Sequence, residues 1–329
     1  MMDFSYHRPA DLAAAGAAVA AGGTPLGGGT GLLDLARLGV ARPRAVVDLS
    51  RLPGLDAIEL TDTEARIGAT VTMSRLAAHP AIRAALPAIG QALLASASPQ
   101  IRNMATIGGN LLQRTRCAYF RDPSFDACNR RNPGSGCAAI GGVTRGHALL
   151  GTSAHCIATH PGDLAVALVA CDAVLECWSP EGQRALPLHD LYRLPGATPD
   201  REFALAPADI ITGLRIPLTP AARRARYVKL RDRASYEFAA ASLAAGITLD
   251  ADGRVADLRV ALGGVATIPW RARAVEAALI GERPTPAAIA AAAALAVREA
   301  EPQPDNRHKL ALVPALIERT LEELLGDAA

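Results

Sequence analysis

Four cysteines in a segment rich in glycine, proline and arginine constrain this chain most. Cys117, Cys128, Cys137 and Cys156 are separated by ten, eight and eighteen residues. The segment around them, residues 115–157, is too long for an ordinary connection and too poor in apolar residues to bury a core of its own. Four thiolates are what a tetrahedral metal ion or an iron–sulfur cube requires. We therefore expect a bound metal or cluster to hold the segment in shape.

The other two cysteines have a different setting. Cys171 and Cys177 lie in the apolar run LVACDAVLECW, which predicts small buried side chains. A chain of this size with a good core has little need of disulfides, and reduced thiols are the default in the cytoplasm. All six cysteines are therefore expected to be free of disulfides.

Charge and hydropathy exclude two classes of partner. The chain has 34 basic and 32 acidic residues, a net charge of +2, which argues against nucleic acid. No run approaches the roughly 18 apolar residues that a membrane span requires. The N-terminal residues lack the basic region of a signal peptide, so we expect a cytoplasmic chain, and export together with a signal-bearing partner to the periplasm would also agree with the sequence.

The order of elements predicts an α+β fold in three parts. Helices are expected over residues 9–21, 31–38 and 73–80, and over 271–281, 285–299 and 307–325 near the C-terminus. Long strands are expected after the prolines at 217 and 220. At 329 residues the chain exceeds a single core, and we place the divisions at residues 1–55, 56–217 and 221–329, with the cysteine segment inserted in the second part.

Two glycine motifs are candidates for phosphate binding. Glycine lets the backbone approach a phosphate and present its N–H groups. The first motif lies between two predicted helices and comprises Leu26, Gly27, Gly28, Gly29, Thr30, Gly31, Leu32, Leu33 and Asp34. The second, TIGGN, offers Thr106, Gly108, Gly109 and Asn110 as donors and acceptors. Neither matches the Rossmann or Walker pattern, but two such loops in one domain could hold the two ends of a pyrophosphate.

Five motifs in order across the chain carry a family resemblance. They are PLGGGTGLLDLARLG, SPQIRNMATIGGNL, HPGDLAVALVACDA, KLRDRASYEFAAASL and ALGGVATIPWRARAVEAAL. In this order they resemble the FAD-binding subunit of molybdenum hydroxylases, the group of xanthine dehydrogenase and aerobic carbon monoxide dehydrogenase. The resemblance implies an FAD-binding domain of the vanillyl-alcohol-oxidase type in two subdomains, followed by a C-terminal α+β domain of the carbon monoxide dehydrogenase flavoprotein.

The resemblance also implies cofactor contacts. The two glycine motifs would hold the FAD pyrophosphate, and Asp163 would lie near the ribityl and phosphate part of the flavin. Ile211 would line the flavin, and Lys229 would lie near the isoalloxazine ring.

The cysteine segment narrows the resemblance to branches that carry an additional cluster. The run RTRCAYFRDPSFDACNRRNPGSGCAAI with the later SAHC is similar to the flavoprotein subunit of periplasmic-type aldehyde oxidoreductases, in which four such cysteines ligate a [4Fe–4S] cluster. The flavoprotein subunits of 4-hydroxybenzoyl-CoA reductase and of xanthine dehydrogenase-like enzymes are the alternatives. The expected partners are a large molybdopterin-binding subunit, a small subunit with two [2Fe–2S] clusters, and an external electron acceptor that takes electrons from FAD.

Two further interpretations remain open from the residues alone. A zinc-stabilised scaffold agrees with four cysteines, although the CxxC pairs of common zinc sites are absent. A stand-alone flavin oxidase would turn over a small substrate without partner subunits. The role of a cluster is also open, since it could conduct electrons or only brace the segment.

Overall fold

The computed structural model describes residues 3–326. The outermost residues of the predicted first and last parts, 1–2 and 327–329, lie outside the described residues. Mixed helices and strands build three sheets, which confirms the predicted α+β class.

The first sheet is small and parallel. Its elements, in chain order, are β1 (Ser5–His7), α1 (Leu12–Ala20), β2 (Thr24–Leu26), α2 (Leu32–Arg37) and β3 (Ala45–Asp48). The strand order is β1-β3-β2, with Val46 and Val47 of the central strand fully buried. Asp11 begins α1 by accepting a 2.8 Å hydrogen bond from the backbone N–H of Ala14.

The first glycine motif therefore follows a strand, and the expectation that it links two helices is wrong. Strand β2 has only three residues, one of them Pro25, so no alternating pattern marks it in the sequence. The glycine loop leaves the carboxyl end of β2 and enters α2. This is the end of a parallel strand at which α/β proteins place their ligands.

The second sheet is antiparallel and has helices inserted between its strands. Its part of the chain contains β4 (Ile58–Leu60), β5 (Glu64–Gly68), α3 (Met73–Ala78), α4 (Pro80–Ala85), α5 (Pro87–Ala95), α6 (Pro99–Met104), α7 (Ile107–Leu111), α8 (Ala118–Arg121), α9 (Asp163–Ala170), β6 (Val174–Ser179), β7 (Gly182–Pro187) and β8 (Ile210–Pro217). The strand order is β4-β5-β8-β6-β7. Every residue of α9 is buried, which explains why its sequence is apolar on all faces after Asp163.

The third sheet and its helices form the C-terminal part. The elements are α10 (Pro220–Arg223), β9 (Arg226–Leu230), β10 (Ala241–Leu249), β11 (Val255–Gly263), β12 (Trp270–Arg271), α11 (Arg273–Leu279), α12 (Pro286–Ala294) and α13 (Lys309–Gly326). The sheet is antiparallel in the order β12-β11-β10-β9 and has a core of its own. Helix α12 ends earlier than the predicted 285–299, because the chain tightens into a 3₁₀ turn at Leu295–Val297.

Helices α5 and α9 join the second part to the third. Strand β9 packs on α5, and β10 and β11 pack on α9. The guanidinium of Arg271 donates 2.8 Å and 2.6 Å hydrogen bonds to the backbone oxygen of Val169 and the carboxylate of Asp172 at the end of α9. The predicted boundary at residue 217 stays a prediction.

The first part of the cysteine segment is held largely by side-chain hydrogen bonds. Its Phe120 and Cys128 form a small apolar cluster with Leu35 of α2, whereas Leu149 and Leu150 later in the segment belong to the core of the third part. Arg131 donates hydrogen bonds to the backbone oxygens of Tyr119 and Phe120 at 2.9 Å and 2.7 Å. These contacts satisfy carbonyl groups of α8, which is too short to pair them within the helix.

The C-terminal helix also supports this segment. The ammonium of Lys309 donates to the backbone oxygens of His147 at 3.2 Å and Gly264 at 2.7 Å, and the amide of Asn306 donates to those of His147 and Ala148. Both side chains are buried, so the segment is joined to the third part of the chain by contacts that exclude water. Within residues 3–326, none of the helices has the length and apolar character needed to cross a bilayer.

Candidate functional site

A cavity of about 490 Å³ opens over the first glycine motif. Its walls include residues from the first motif, the second motif, β8 and the start of the cysteine segment. The predicted site residues that line it are Leu26, Gly27, Gly28, Gly29, Thr30, Gly31, Leu32, Thr106, Gly108, Gly109 and Ile211. The other predicted residues, Leu33, Asp34, Asn110, Asp163 and Lys229, do not line it, and Asp163 lines a second cavity.

The two glycine motifs are in direct contact. A side-chain carbon added at Gly28 would lie 1.7 Å from the backbone oxygen of Met104, and one added at Gly27 would lie 2.4 Å from the hydroxyl of Thr106. Glycine at these positions therefore allows one loop to pack on the other. Gly31 differs, because a carbon added there would meet nothing within 4 Å.

The second motif uses its own N–H groups. Gly108 donates to the backbone oxygen of Ala69 at 2.8 Å, and Gly109 donates to the Thr106 hydroxyl at 3.3 Å in the cap of α7. The expectation that both glycines present unobstructed N–H groups to a ligand is therefore wrong for the chain as it is folded here. What the motif presents to the cavity is a capped helix start with glycines that leave space.

The first motif, in contrast, has free donors. Among the hydrogen bonds of residues 3–326, none has the backbone N–H of Gly28, Gly29, Thr30 or Gly31 as its donor. The buried side-chain hydroxyl of Thr70, which lines the cavity, also lacks a partner within the described residues. Free N–H groups beside an unpaired hydroxyl in a cavity of this size fit a phosphate-containing cofactor such as FAD.

Two arginines of the cysteine segment complete the cavity wall. Arg116 and Arg121 line it and form ion pairs of 3.1 Å and 2.9 Å with the same carboxylate oxygen of Asp34. Burial and then the nearby Arg121 cation lower the pKa of Arg116. No sequence motif marked these two residues; their only sign was their position beside Cys117 in the run RTRCAYFR.

A second cavity, of about 430 Å³, adjoins the first at Arg116, which lines both. Asp163 lies on its wall together with His160, Cys117 and Ser242. The second cavity lies between the cysteine segment and the C-terminal sheet, and the two cavities together offer space for an extended ligand.

Asp163 and Lys229 form one buried network. Asp163 accepts hydrogen bonds from Lys229 at 2.9 Å, from Ser96 at 2.9 Å and from the Tyr227 hydroxyl at 2.5 Å. Lys229 also donates to the backbone oxygen of Ala95 at 3.1 Å. Burial, followed by the charge of Asp163, raises the pKa of Tyr227 well above its ordinary value, so this hydroxyl stays a donor. Sequence patterns alone gave no indication of Ser96 or Tyr227.

Ile211 has two roles at once. It is buried in β8, paired with Cys177 of β6, and also lines the main cavity. Its place agrees with an apolar wall for a ring system, although the same side chain belongs to the core of the second sheet.

The four cysteines of the segment converge on one narrow cavity. Cys117, Cys128, Cys137 and Cys156 all line it, and an antiparallel bridge joins Cys128 to Cys137. All six cysteines have free thiols, and Cys171 and Cys177 are buried in the core as predicted. Within the described part of the chain, no three Cys, His, Asp or Glu side chains are already placed to hold a metal ion. The four thiols therefore line one cavity, but in the described residues they are not arranged as the ligands of a single metal ion.

Other groups surround the thiols. The imidazole of His147 lies 3.3 Å from the Cys117 sulfur, and exposed His155 also borders the cavity. Burial raises the pKa of Cys117 to about 11, and burial also raises the pKa of Cys137. Arg130 forms a buried ion pair with Glu202 and lines the same cavity as the four cysteines. Cys128 and Cys156 are buried and Cys117 and Cys137 are half-buried, and four such thiols with a guanidinium beside them are a donor set that an anionic iron–sulfur centre could use.

Comparison with known proteins gives the family. Residues 2–219 match the family described as "FAD binding domain in molybdopterin dehydrogenase", and residues 226–324 match "CO dehydrogenase flavoprotein C-terminal domain". Together the two matches cover nearly the whole chain.

Individual relatives agree with these matches. The aldehyde oxidoreductase FAD-binding subunit PaoB of Escherichia coli is 46% identical over 100% of this chain and 99% of its own length. The carbon monoxide dehydrogenase medium chain of Afipia carboxidovorans is 28% identical over 99% and 98%. Among solved structures, the carbon monoxide dehydrogenase of Hydrogenophaga pseudoflava that lacks the Mo-pyranopterin moiety has a chain 25% identical, with a TM-score of 0.76 over 99% of this chain and 98% of that one. A glycine loop with free N–H groups, two matched domains and near-complete coverage lead to one conclusion: this chain belongs to the FAD-binding medium subunits of the molybdenum hydroxylases.

Proposed function

We propose that this chain is the FAD- and [4Fe–4S]-containing electron-transfer subunit of a heterotrimeric, molybdenum-dependent aldehyde oxidoreductase. In this proposal aldehydes are oxidised to carboxylic acids on a large molybdopterin-binding subunit. A small subunit with two [2Fe–2S] clusters delivers the electrons to this chain, which passes them to an external acceptor.

The convergence of the four cysteines carries the proposal. They are spread over 40 residues of chain, yet they line one cavity. The part of the segment that holds Cys117 and Cys128 has one small apolar cluster, and Arg131 holds its backbone by hydrogen bonds. A cluster at this point would supply the cross-links that the segment lacks.

The choice of an aldehyde oxidoreductase rests on the relative with 46% identity over both chains, whose name states that activity. Relatives named for carbon monoxide, 6-hydroxypseudooxynicotine and xanthine enzymes are 26–30% identical. The difference in identity favours the aldehyde branch over the xanthine dehydrogenase-like alternative.

The residues of the main cavity would hold FAD. The free N–H groups of Gly28 to Gly31 would bind its phosphates, and the apolar side chains of Leu26, Leu32 and Ile211 would exclude water from its rings. Asp163 and Lys229 would present a fixed, hydrogen-bonded pair at the side of the second cavity. FAD bound in this cavity would supply the redox chemistry, since a flavin can accept and release electrons singly or in pairs.

Purification with and without partners tests the proposal. We expect the isolated chain to contain FAD and about four iron and four sulfide per chain, and to oxidise no aldehyde. Expression with a molybdopterin-binding subunit and a two-[2Fe–2S] subunit should yield a complex that oxidises aldehydes with an added acceptor.

Other outcomes would contradict it. A colourless chain with stoichiometric zinc would establish the scaffold interpretation, and substrate oxidation by the isolated chain would establish a stand-alone oxidase. A complex that reduces 4-hydroxybenzoyl-CoA or oxidises xanthine, and leaves aldehydes unchanged, would move the chain to one of the alternative branches.

A further inference from the structure

Two arginines of the cysteine segment share a single carboxylate. Arg116 and Arg121 both pair with the same oxygen of Asp34, at 3.1 Å and 2.9 Å. The three side chains are 24–38% exposed and carry a net charge of +1 at the wall of the main cavity. A partly buried excess cation of this kind favours an anion beside it.

The same two guanidiniums have nitrogen atoms without partners. The Arg116 Nε and an Arg121 Nη are buried, and neither has a hydrogen-bond acceptor among the described residues. Arg114, which lines the same cavity, differs because it is paired with Glu202 and donates to the backbone oxygen of Arg130 at 3.2 Å. Within the described residues, Arg116 and Arg121 make ion pairs only with Asp34 and line the cavity, whereas Arg114 is engaged with Glu202 and Arg130.

The first glycine motif supplies matching donors at this cavity. The N–H groups of Gly28, Gly29, Thr30 and Gly31 have no acceptor within the described residues. Guanidinium groups and free backbone N–H groups are the two kinds of donor that proteins use for phosphates. Asp34, just beyond the glycine loop, holds the two arginines in place beside it.

We infer that Arg116 and Arg121, both contributed by the cysteine segment, bind the diphosphate of FAD together with the first glycine motif. The segment thus has a function in cofactor binding that is separate from any cluster. Arg116 directly precedes Cys117, and Arg121 ends the short helix that Cys117 begins. The same turn of chain therefore contributes Cys117 to the cysteine cavity and the two arginines to the main cavity. This inference rests on the FAD binding that the family shows and does not depend on the proposed cluster.

Flavins with and without phosphate test the inference. FAD would first be removed from the full chain. The binding of FAD and of riboflavin to the unaltered chain and to the double variant Arg116→Gln/Arg121→Gln would then be measured by flavin fluorescence. Loss of two charge-assisted contacts should raise the FAD Kd by about 30-fold or more, while the riboflavin Kd changes by less than about twofold. The matched control is Arg66→Gln/Arg319→Gln, which removes two exposed cations that line neither cavity, and its FAD Kd should stay unchanged.

Two outcomes would overturn the inference. An FAD Kd within about twofold of the unaltered chain would show that the arginines do not contact the diphosphate. An equal loss of FAD and riboflavin binding would show a general distortion of the cavity. Iron and sulfide content and the thermal midpoint, measured on the same samples, separate loss of the segment's structure from loss of phosphate binding.

Discussion

The ammonium of Lys229 lies 2.9 Å from the carboxylate of Asp163, and both side chains are less than one-tenth exposed. The pair joins β9 of the C-terminal domain to the first residue of α9 in the FAD-binding domain. Tyr227 and Ser96 fill the remaining acceptor positions of the carboxylate. The resemblance pointed to both residues as flavin contacts, and the structure adds that they contact each other across the domain junction.

Breaking this pair on one side should destabilise the protein. Lys229→Met leaves the Asp163 carboxylate buried without its countercharge, which costs about 3–5 kcal/mol in comparable buried pairs. We expect a matching fall in the free energy of unfolding, measured by urea denaturation of the full chain. In a double-mutant cycle, adding Asp163→Asn to Lys229→Met should restore part of the loss, since no uncompensated charge then remains. Equal and additive losses for the two single variants would contradict direct coupling.

Glycine at position 28 is required for contact between the two glycine motifs. Gly28→Ala would place a carbon 1.7 Å from the backbone oxygen of Met104, which must then move. We expect a loss of about 2–3 kcal/mol in the FAD-free chain, visible as a lower thermal midpoint. Gly31→Ala is the matched control because its φ is −95° and its added carbon meets no protein atom within 4 Å. A stable Gly28→Ala chain would show that the loops can separate without cost.

The iron content of cysteine variants should show which cysteines are cluster ligands. Cys128→Ser removes one thiol from the shared cavity, and we expect iron and sulfide to fall well below one cluster per chain, with loss of the visible absorbance. Cys171→Ser alters a buried cysteine of the α9 end, outside that cavity, and should leave iron content unchanged. Full iron content in the first variant would exclude Cys128 as a ligand.

Lys309 should make stability depend on pH in the alkaline range. It is buried against two backbone oxygens, and burial, followed by the charge of Arg145, lowers its pKa to about 8. Between pH 8 and the ordinary lysine pKa of about 10.4, the unfolded chain binds a proton that the folded chain has released, so this residue's contribution to stability rises with pH.

The measurement for Lys309 is a difference between two proteins. The free energy of unfolding of the unaltered chain, minus that of Lys309→Met, should increase by about 3 kcal/mol across this window. Below pH 8 the difference should be flat, because the lysine is protonated in both states. A difference that stays constant from pH 7 to 10.5 would show that Lys309 titrates normally.

Much of the fold was readable from local patterns. The helix α9 is apolar on every face and is buried on every face, and the helices near the C-terminus begin and end within a few residues of their predicted bounds. The predicted helix over 31–38 became α2 at Leu32–Arg37. Strand β2 escaped prediction because three residues with a proline carry no periodic signal.

The sequence by itself determined which chemical groups the chain has: four clustered thiols, two glycine motifs, and an aspartate and a lysine in recognisable surroundings. The tertiary structure decided how those groups are used. It satisfied the N–H groups of Gly108 and Gly109 internally and left those of Gly28 to Gly31 without an acceptor in the described residues. It also brought Arg116 and Arg121 to Asp34, some 80 residues earlier in the chain. Such pairings depend on hydrogen bonds and charges that meet only after the sheets pack, and no local pattern encodes them.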